Sequence, residues 1–385
     1  MNTAALTLPK ERLMDELDKR IAWKTEEIAE RDARLGTERI RIFSYMENLG
    51  WPELFGFDMP RYFTDADFAV EQNLRQMIYW ADNVQDDVTP NLSWMGADVG
   101  MYWDMTLFGE EISHSSIGVP EFHPHPLHEV ADIALLGHFD FYHTGVMPQL
   151  IEKYERMTAI SRQDYDGKIV VGFPCFHRGP LDIYVQLRGY ENFIDDIEER
   201  VDYLSDALTF IMDERLRFMQ ARQQFLHEAE MPTTSFMADD WVNIPFITPT
   251  FFREVVVPVY THVREQEGSI TGFHTCGNME SVTQDILQVF PDITWLDLQG
   301  WNNIRKIDAL VDPRISFTVG MINTVSLGDA VDEQREKIAA IRDVRQHRSV
   351  CMNAGAIVKL YPTYEETLTR LNHFLVLAHD EMNKQ

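Results

Sequence analysis

Residues 270–300 read ITGFHTCGNMESVTQDILQVFPDITWLDLQG, and the order of textures within them decides the fold. An apolar run rich in β-branched and aromatic residues (ITGFHTC) gives way to a stretch with helical spacing (MESVTQDILQVF). A second apolar run, ITWLDLQG, follows. Short buried-strand runs that alternate with helices predict parallel strands joined by crossover helices. The alternation continues through NIRKIDALV, ISFTVGM, the helical DAVDEQREKIAAIRDVRQH, SVCMNAG and a last helix from Tyr364. Upstream, KIVVGFPCF (168–176) and TTSFMADDW (233–241) read as strands, with a helical region over 191–229 between them. Around seven strands can be placed along the chain in this way, and the eighth is expected within 91–145, where the pattern is ambiguous. Together these predict an α/β chain folded as a (β/α)8 TIM barrel with right-handed crossovers. No glycine-rich dinucleotide fingerprint follows any of the runs, and no GKS or GKT phosphate loop occurs, so an open doubly wound sheet fits less well.

The N-terminal part has a different texture. Residues 9–35 are highly charged, with Leu13, Leu17, Ile21 and Ile28 at roughly helical spacing. A second helix is expected over 64–82, opened by the capping types Thr64 and Asp65. We therefore expect a helical N-terminal extension over 1–90, acting as a cover or lid, and the barrel over 91–385.

Composition narrows the function classes. The formal net charge of −28 makes nucleic acid and anionic membrane surfaces poor partners. No apolar stretch approaches the ~20 residues that cross a bilayer, and the first twenty residues are too charged for a secretory signal. Cys175, Cys276 and Cys351 are too few for a disulfide framework, which points to a reducing cytoplasm.

In a barrel the chemistry sits at the C-terminal ends of the strands. The polar residues expected there are Asp239 and Asp240, His274 and Cys276, Asp297, Asn323 and Cys351. A His-x-Cys pair with a distant Cys is a soft N/S/S set suited to zinc. Free cysteines are equally at home in ordinary cores, and His274 could be a satisfied core histidine. One of Asp239 and Asp240 could be a general acid or substrate anchor while the other caps a helix. Tyr102, Trp103 and Trp241 could line a substrate pocket or simply pack the core. Arg178 could meet an anionic substrate group or form a surface ion pair. Cys175 reads as a core thiol, and His123, His125 and His128, separated by prolines, read as an extended loop.

Several stretches carry a family resemblance: Gly179-Pro180-Leu181 in HRGPLDIYVQLRGYENFIDD, ITPTFFREVVVPVYTHV (247–263), HTCGN (274–278) and CMNAG (351–355). On these residues the chain resembles the uroporphyrinogen decarboxylase-like superfamily over about 90–385, which implies a (β/α)8 barrel. Within it, His-x-Cys-Gly with a later Cys resembles the zinc-dependent corrinoid methyltransferases. That likeness implies Zn2+ on His274, Cys276 and Cys351, and the similar site of cobalamin-independent methionine synthase makes Asp297 a candidate fourth ligand. The N-terminal arginines that cradle a tetrapyrrole in the decarboxylase are not matched, since the corresponding region reads GADVGMYWDMTLFGEE.

The expected activity is thus methyl transfer between a small molecule, as methyl donor or thiol acceptor, and a corrinoid. The chain has no Asp-x-His-x-x-Gly motif of its own, so the corrinoid is expected on a partner protein. The alternatives are a decarboxylase of a smaller carboxylic acid, a corrinoid-independent zinc thiol methyltransferase, and a non-catalytic barrel.

Overall fold

The computed structural model describes residues 1–36, 39–228 and 235–382. Thr233, Thr234 and Ala229, at the ends of a strand and a helix expected from the sequence, lie outside the described residues.

Eight parallel strands succeed one another in chain order. They are β1 (Arg41–Met46), β2 (Met95–Gly96), β3 (Val171–Gly172), β4 (Ser235–Ala238), β5 (Ile270–Thr275), β6 (Trp295–Leu298), β7 (Ser316–Gly320) and β8 (Val350–Ile357). Ladders join β4 through β8 in order, and β8 returns to pair with β1. β2 pairs with β3, and a bridge from Arg178 to Ala238 carries the ring on to β4. Between successive strands lie helices such as Ala66–Asn83, Met147–Asp164, Val201–Leu226, Val257–Glu267 and Val331–Arg345, with Tyr364–Met382 after β8. This is a (β/α)8 barrel.

The physical reason is legible strand by strand. Phe273 in β5, Leu296 and Leu298 in β6, Phe317 in β7, and Met352 and Ala354 in β8 are all buried. A parallel sheet covered by helices on one side and closed on itself needs such near-continuous apolar runs. Side-chain caps open helices Ala66–Asn83 and Ile304–Asp308. Asp65 accepts from the Phe68 amide at 3.0 Å, and Asn303 accepts from the Lys306 amide at 3.2 Å.

The segment read as a purely helical extension departs from that reading. Helix Leu13–Leu35 is present and buries Leu13 and Leu17, but Arg41–Met46 is the first barrel strand. Its period-2 alternation, with Ile42, Ser44 and Met46 buried, is short and sits between long helices, where a helical pattern masks it. Buried polar bonds lock this strand to the N-terminal helices. Asp87 accepts from the Ile42 amide at 2.9 Å and pairs with the buried Arg39, while Lys24 Nζ donates to the Val84 carbonyl at 2.8 Å. No helix among the described residues is long and apolar enough to cross a membrane.

Candidate metal centre

β5 ends on Thr275, and the chain turns sharply through Cys276-Gly277-Asn278. The turn is tied to the loop after β4. Thr275 Oγ1 donates to the Val242 carbonyl at 2.8 Å, and the Asn278 amide donates to Asn243 Oδ1 at 2.9 Å. A Cβ on Gly277 would lie 2.3 Å from the Cβ of Asn243, so only glycine permits this approach. The same contact draws Asp240 in, and its Oδ1 accepts from the Cys276 amide at 3.2 Å.

The result is a compact set of donors. His274 Nε2 lies 3.4 Å from Cys276 Sγ and 3.2 Å from Asp240 Oδ1. One ligand atom from each of Asp240, His274 and Cys276 falls within 4.8 Å of the other two, the geometry of residues that can share a metal ion. The other ring nitrogen, Nδ1, donates to Asp297 Oδ2 at 2.9 Å. A carboxylate behind a metal-facing histidine fixes its tautomer and ring orientation. Asp297 Oδ1 is buried and has no hydrogen-bond partner, an acceptor left open at the site. An imidazole, a thiol and carboxylate oxygens are a donor set that fits zinc in kind, and closing a tetrahedral site needs a fourth group.

Cys351 stands apart from this trio. Its Sγ is 3.1 Å from Thr318 Oγ1 and 3.8 Å from the Phe317 carbonyl. It does, however, share a register row with the others: His274 pairs with Asp297, Asp297 with Thr318, and Thr318 with Cys351. Side chains in one row of a sheet leave the same face. Consistent with this, burial raises the Cys351 thiol, and the Asp297 charge pushes it up further.

The electrostatics follow from burial and pairing. Burial by itself would favour a neutral imidazole, yet hydrogen bonds to Asp240, Asp297 and Cys276 push His274 up to about 12. Burial would raise Asp240, but the His274 bond and charge hold it at about 2. These values describe the protein's own groups; a bound cation would replace the imidazole proton.

The two adjacent aspartates divide their labour. Asp239 is wholly buried and accepts from Tyr260 Oη at 2.8 Å and the Asp182 amide at 2.9 Å. It thereby satisfies the first turn of helix Pro180–Arg188, and burial pushes its carboxyl up to about 8. Asp239 therefore holds the fold, and Asp240 belongs to the centre.

Arg178 is not a surface residue. Its Nε pairs with the buried Asp104 at 3.2 Å, its Nη1 with Asp182, and its guanidinium lies 4.3 Å from the Tyr102 ring centroid. Arg178 bridges to Ala238, two residues before Asp240, which brings this group to the strand end that carries the centre. Asp182 follows Arg178 at the i,i+4 spacing of an ion pair, whereas Asp104 carries no sequence signal that assigns it to Arg178. The other candidates have packing partners. Trp103 lies against Phe218 at 5.3 Å, and Trp241 stacks on Tyr190 at 5.4 Å. Asn323 Nδ2 donates to the Ala356 carbonyl at 2.6 Å, and its Oδ1 would be 2.1 Å from any Cβ on Gly355, whose φ is +136°. Cys175 Sγ lies 3.3 Å from Met219 Sδ, and His125 is buried with Nε2 on the Phe108 carbonyl at 2.8 Å.

Comparison with known proteins bears on the fold. No family model matches the chain, and no curated protein matches its sequence. Among solved structures, a methyltransferase from Methanosarcina mazei is similar with a TM-score of 0.56 at 16% identity, covering 89% of this chain and 94% of that one. The two share a barrel architecture.

Proposed function

We propose that this barrel is a zinc-dependent methyltransferase, moving a methyl group between a small molecule and a corrinoid carried by a partner protein. The observation that carries the reading is the convergence of His274 Nε2, Cys276 Sγ and Asp240 Oδ1 within 4.8 Å, at the strand ends where barrels keep their chemistry. In this reading His274, Cys276 and Asp240 would hold the metal, and Cys351, on the same face of the sheet but outside the trio, would be the further soft donor. The likeness in fold to a methyltransferase supports the same reading.

Zinc held there would activate a bound thiol, or polarise the heteroatom that carries the methyl group. The chain's own residues supply the rest. Asp297 fixes the imidazole through Nδ1, and the Thr275–Val242 and Asn278–Asn243 bonds hold the Cys276 turn against β4. Rigid placement of this kind is what an in-line displacement needs. A decarboxylase of a small acid is less well supported, because Arg178 is already engaged by Asp104 and Asp182 and offers no free cation to a substrate carboxylate.

The test is metal analysis of protein purified without added zinc, beside a Cys276→Ala variant. We expect close to one zinc per wild-type chain and a large loss in the variant. Wild-type protein free of zinc would overturn the proposal. Incubation with a methylated corrinoid and candidate thiols, followed in the visible spectrum, then reads the transfer itself.

A further inference from the structure

Two junctions of the ring lack a ladder among the described residues, and one of them, β3 to β4, is still joined by the bridge from Arg178 to Ala238. Among the described residues, no ladder links β1 to β2. A cavity of about 310 Å³ occupies this seam. Ser44, Tyr45 and Met46 all line it. The N-terminal half of this edge of β1 is tied down, since the Asp87 amide donates to the Ile42 carbonyl at 2.7 Å and Asp86 accepts from the Ser44 amide at 3.3 Å. Successive strand residues point to opposite faces, so a cavity touching Ser44, Tyr45 and Met46 in a row lies against the remaining edge. Residues 88–91, which lead into β2, form its other lip, and helix Ala66–Asn83 flanks it and leaves it open to the outside.

The lining has a definite chemistry. Tyr45, Trp51 and Trp80 present aromatic surface, and Met46 and Met77 add flexible thioethers. Asn73 and Gln76 supply neutral donors and acceptors, and no charged side chain lines the cavity among the described residues. The nearest buried acid, Asp86, is already occupied: Oδ2 takes Ser44 Oγ at 3.1 Å and Trp80 Nε1 at 3.0 Å, and Oδ1 takes the Val88 amide at 3.2 Å. The volume is at the small end of the ~300–1,000 Å³ range of ligand sites.

Tyr45 stands on β1 four residues beyond Arg41, which pairs with Cys351 in the row that runs on through Thr318 and Asp297 to His274, so the cavity opens on the same strand that carries this row. Burial raises the Tyr45 phenol to about 12, and the charges of Glu47, Asp297, Cys276 and Asp240 act on it in the same direction. The barrel mouth itself is rich in acid, with Asp104, Asp182, Asp240 and Asp297, and its cations Arg178 and His274 are paired to those acids. An anionic ligand would meet repulsion there, with both of these cations already paired.

We propose that the seam between β1 and β2 is a binding subsite for the neutral, apolar body of a small molecule, entering through the side of the barrel with its reacting end directed past Tyr45 toward Asp240, His274 and Cys276. The role of that reacting end rests on the zinc reading above, while the binding of the apolar body does not.

The test is a ligand-observed NMR titration of the full chain with anisole, and with benzenesulfonate as an anionic probe of similar ring size. We expect saturable anisole binding, benzenesulfonate at least tenfold weaker, and at least a tenfold loss of anisole affinity in Met77→Trp, which fills the cavity. Asn91→Trp, on the exposed lip, serves if Met77→Trp fails to fold. Equal affinity for the two probes, or anisole binding unmoved by either filling variant, would overturn the proposal. Cys276→Ala separates the two readings. Anisole bound normally by a variant that has lost its metal supports the subsite on its own. Wild-type protein that holds zinc yet binds no anisole refutes the subsite and leaves the metal centre standing.

Discussion

Asp297 is where the candidate centre is most open to challenge. Its Oδ2 takes the Nδ1 proton of His274 at 2.9 Å, which leaves Nε2 facing Cys276 and Asp240. In this geometry Asp297 would orient the imidazole toward a bound metal without itself closing the trio. Loss of an outer carboxylate of this kind costs about 10–100-fold in metal affinity, equivalent to about 1.4–2.7 kcal/mol. Asp297→Ala should show that loss. Asp297→Asn keeps an acceptor for Nδ1 but removes the charge, so its loss should be smaller. Cys276→Ala removes a thiolate donor and should exceed both. The assay is a competitive chelator titration of zinc on proteins whose melting temperatures have been compared first, because an unpaired Nδ1 carries its own cost of about 1–3 kcal/mol. An Asp297→Ala loss as large as that of Cys276→Ala would make Asp297 a direct ligand through its open Oδ1. No loss at all would show the His274–Asp297 pair to be idle.

Two other perturbations are specific enough to measure. Gly277→Ala places a methyl 2.3 Å from the Cβ of Asn243 and 2.6 Å from its Cα, and backbone must give way. We expect about 1–3 kcal/mol of destabilisation in denaturant unfolding, with zinc content falling more than the fraction folded. Burial lowers the imidazole of His379 from 6.5 to about 4, so the folded chain favours the neutral ring while the unfolded chain protonates first. Its contribution is present above pH 6.5 and drains away as pH falls toward 4. At ~1.4 kcal/mol per tenfold of proton affinity, this gap corresponds to about 3 kcal/mol. His379→Gln should flatten the acid side of the stability curve in that window, and an unchanged curve refutes the assignment.

The sequence by itself determined the periodic elements. The runs that became β5, β6, β7 and β8 each carry a buried apolar face, through Phe273, Leu296, Leu298, Phe317 and Met352, which a sheet covered by helices demands, while the opposite face carries His274, Asp297, Thr318 and Cys351. Local chemistry likewise set the caps at Asp65 and Asn303, and the strand-end position of His274 and Cys276. β1 was not legible, because six alternating residues between long helices carry a weak signal, and only pairing with β8 makes them a strand.

The division between Asp239 and Asp240 lay equally beyond the sequence. Neighbouring side chains leave a strand end in opposite directions, one to Tyr260 and a helix terminus, the other to His274 and Cys276. Arg178 shows the same limit, since its burial depends on Asp104 arriving from a distant loop. The seam between β1 and β2 belongs wholly to tertiary structure. A cavity is a property of how far two strands stand apart, and no residue in either strand records that distance.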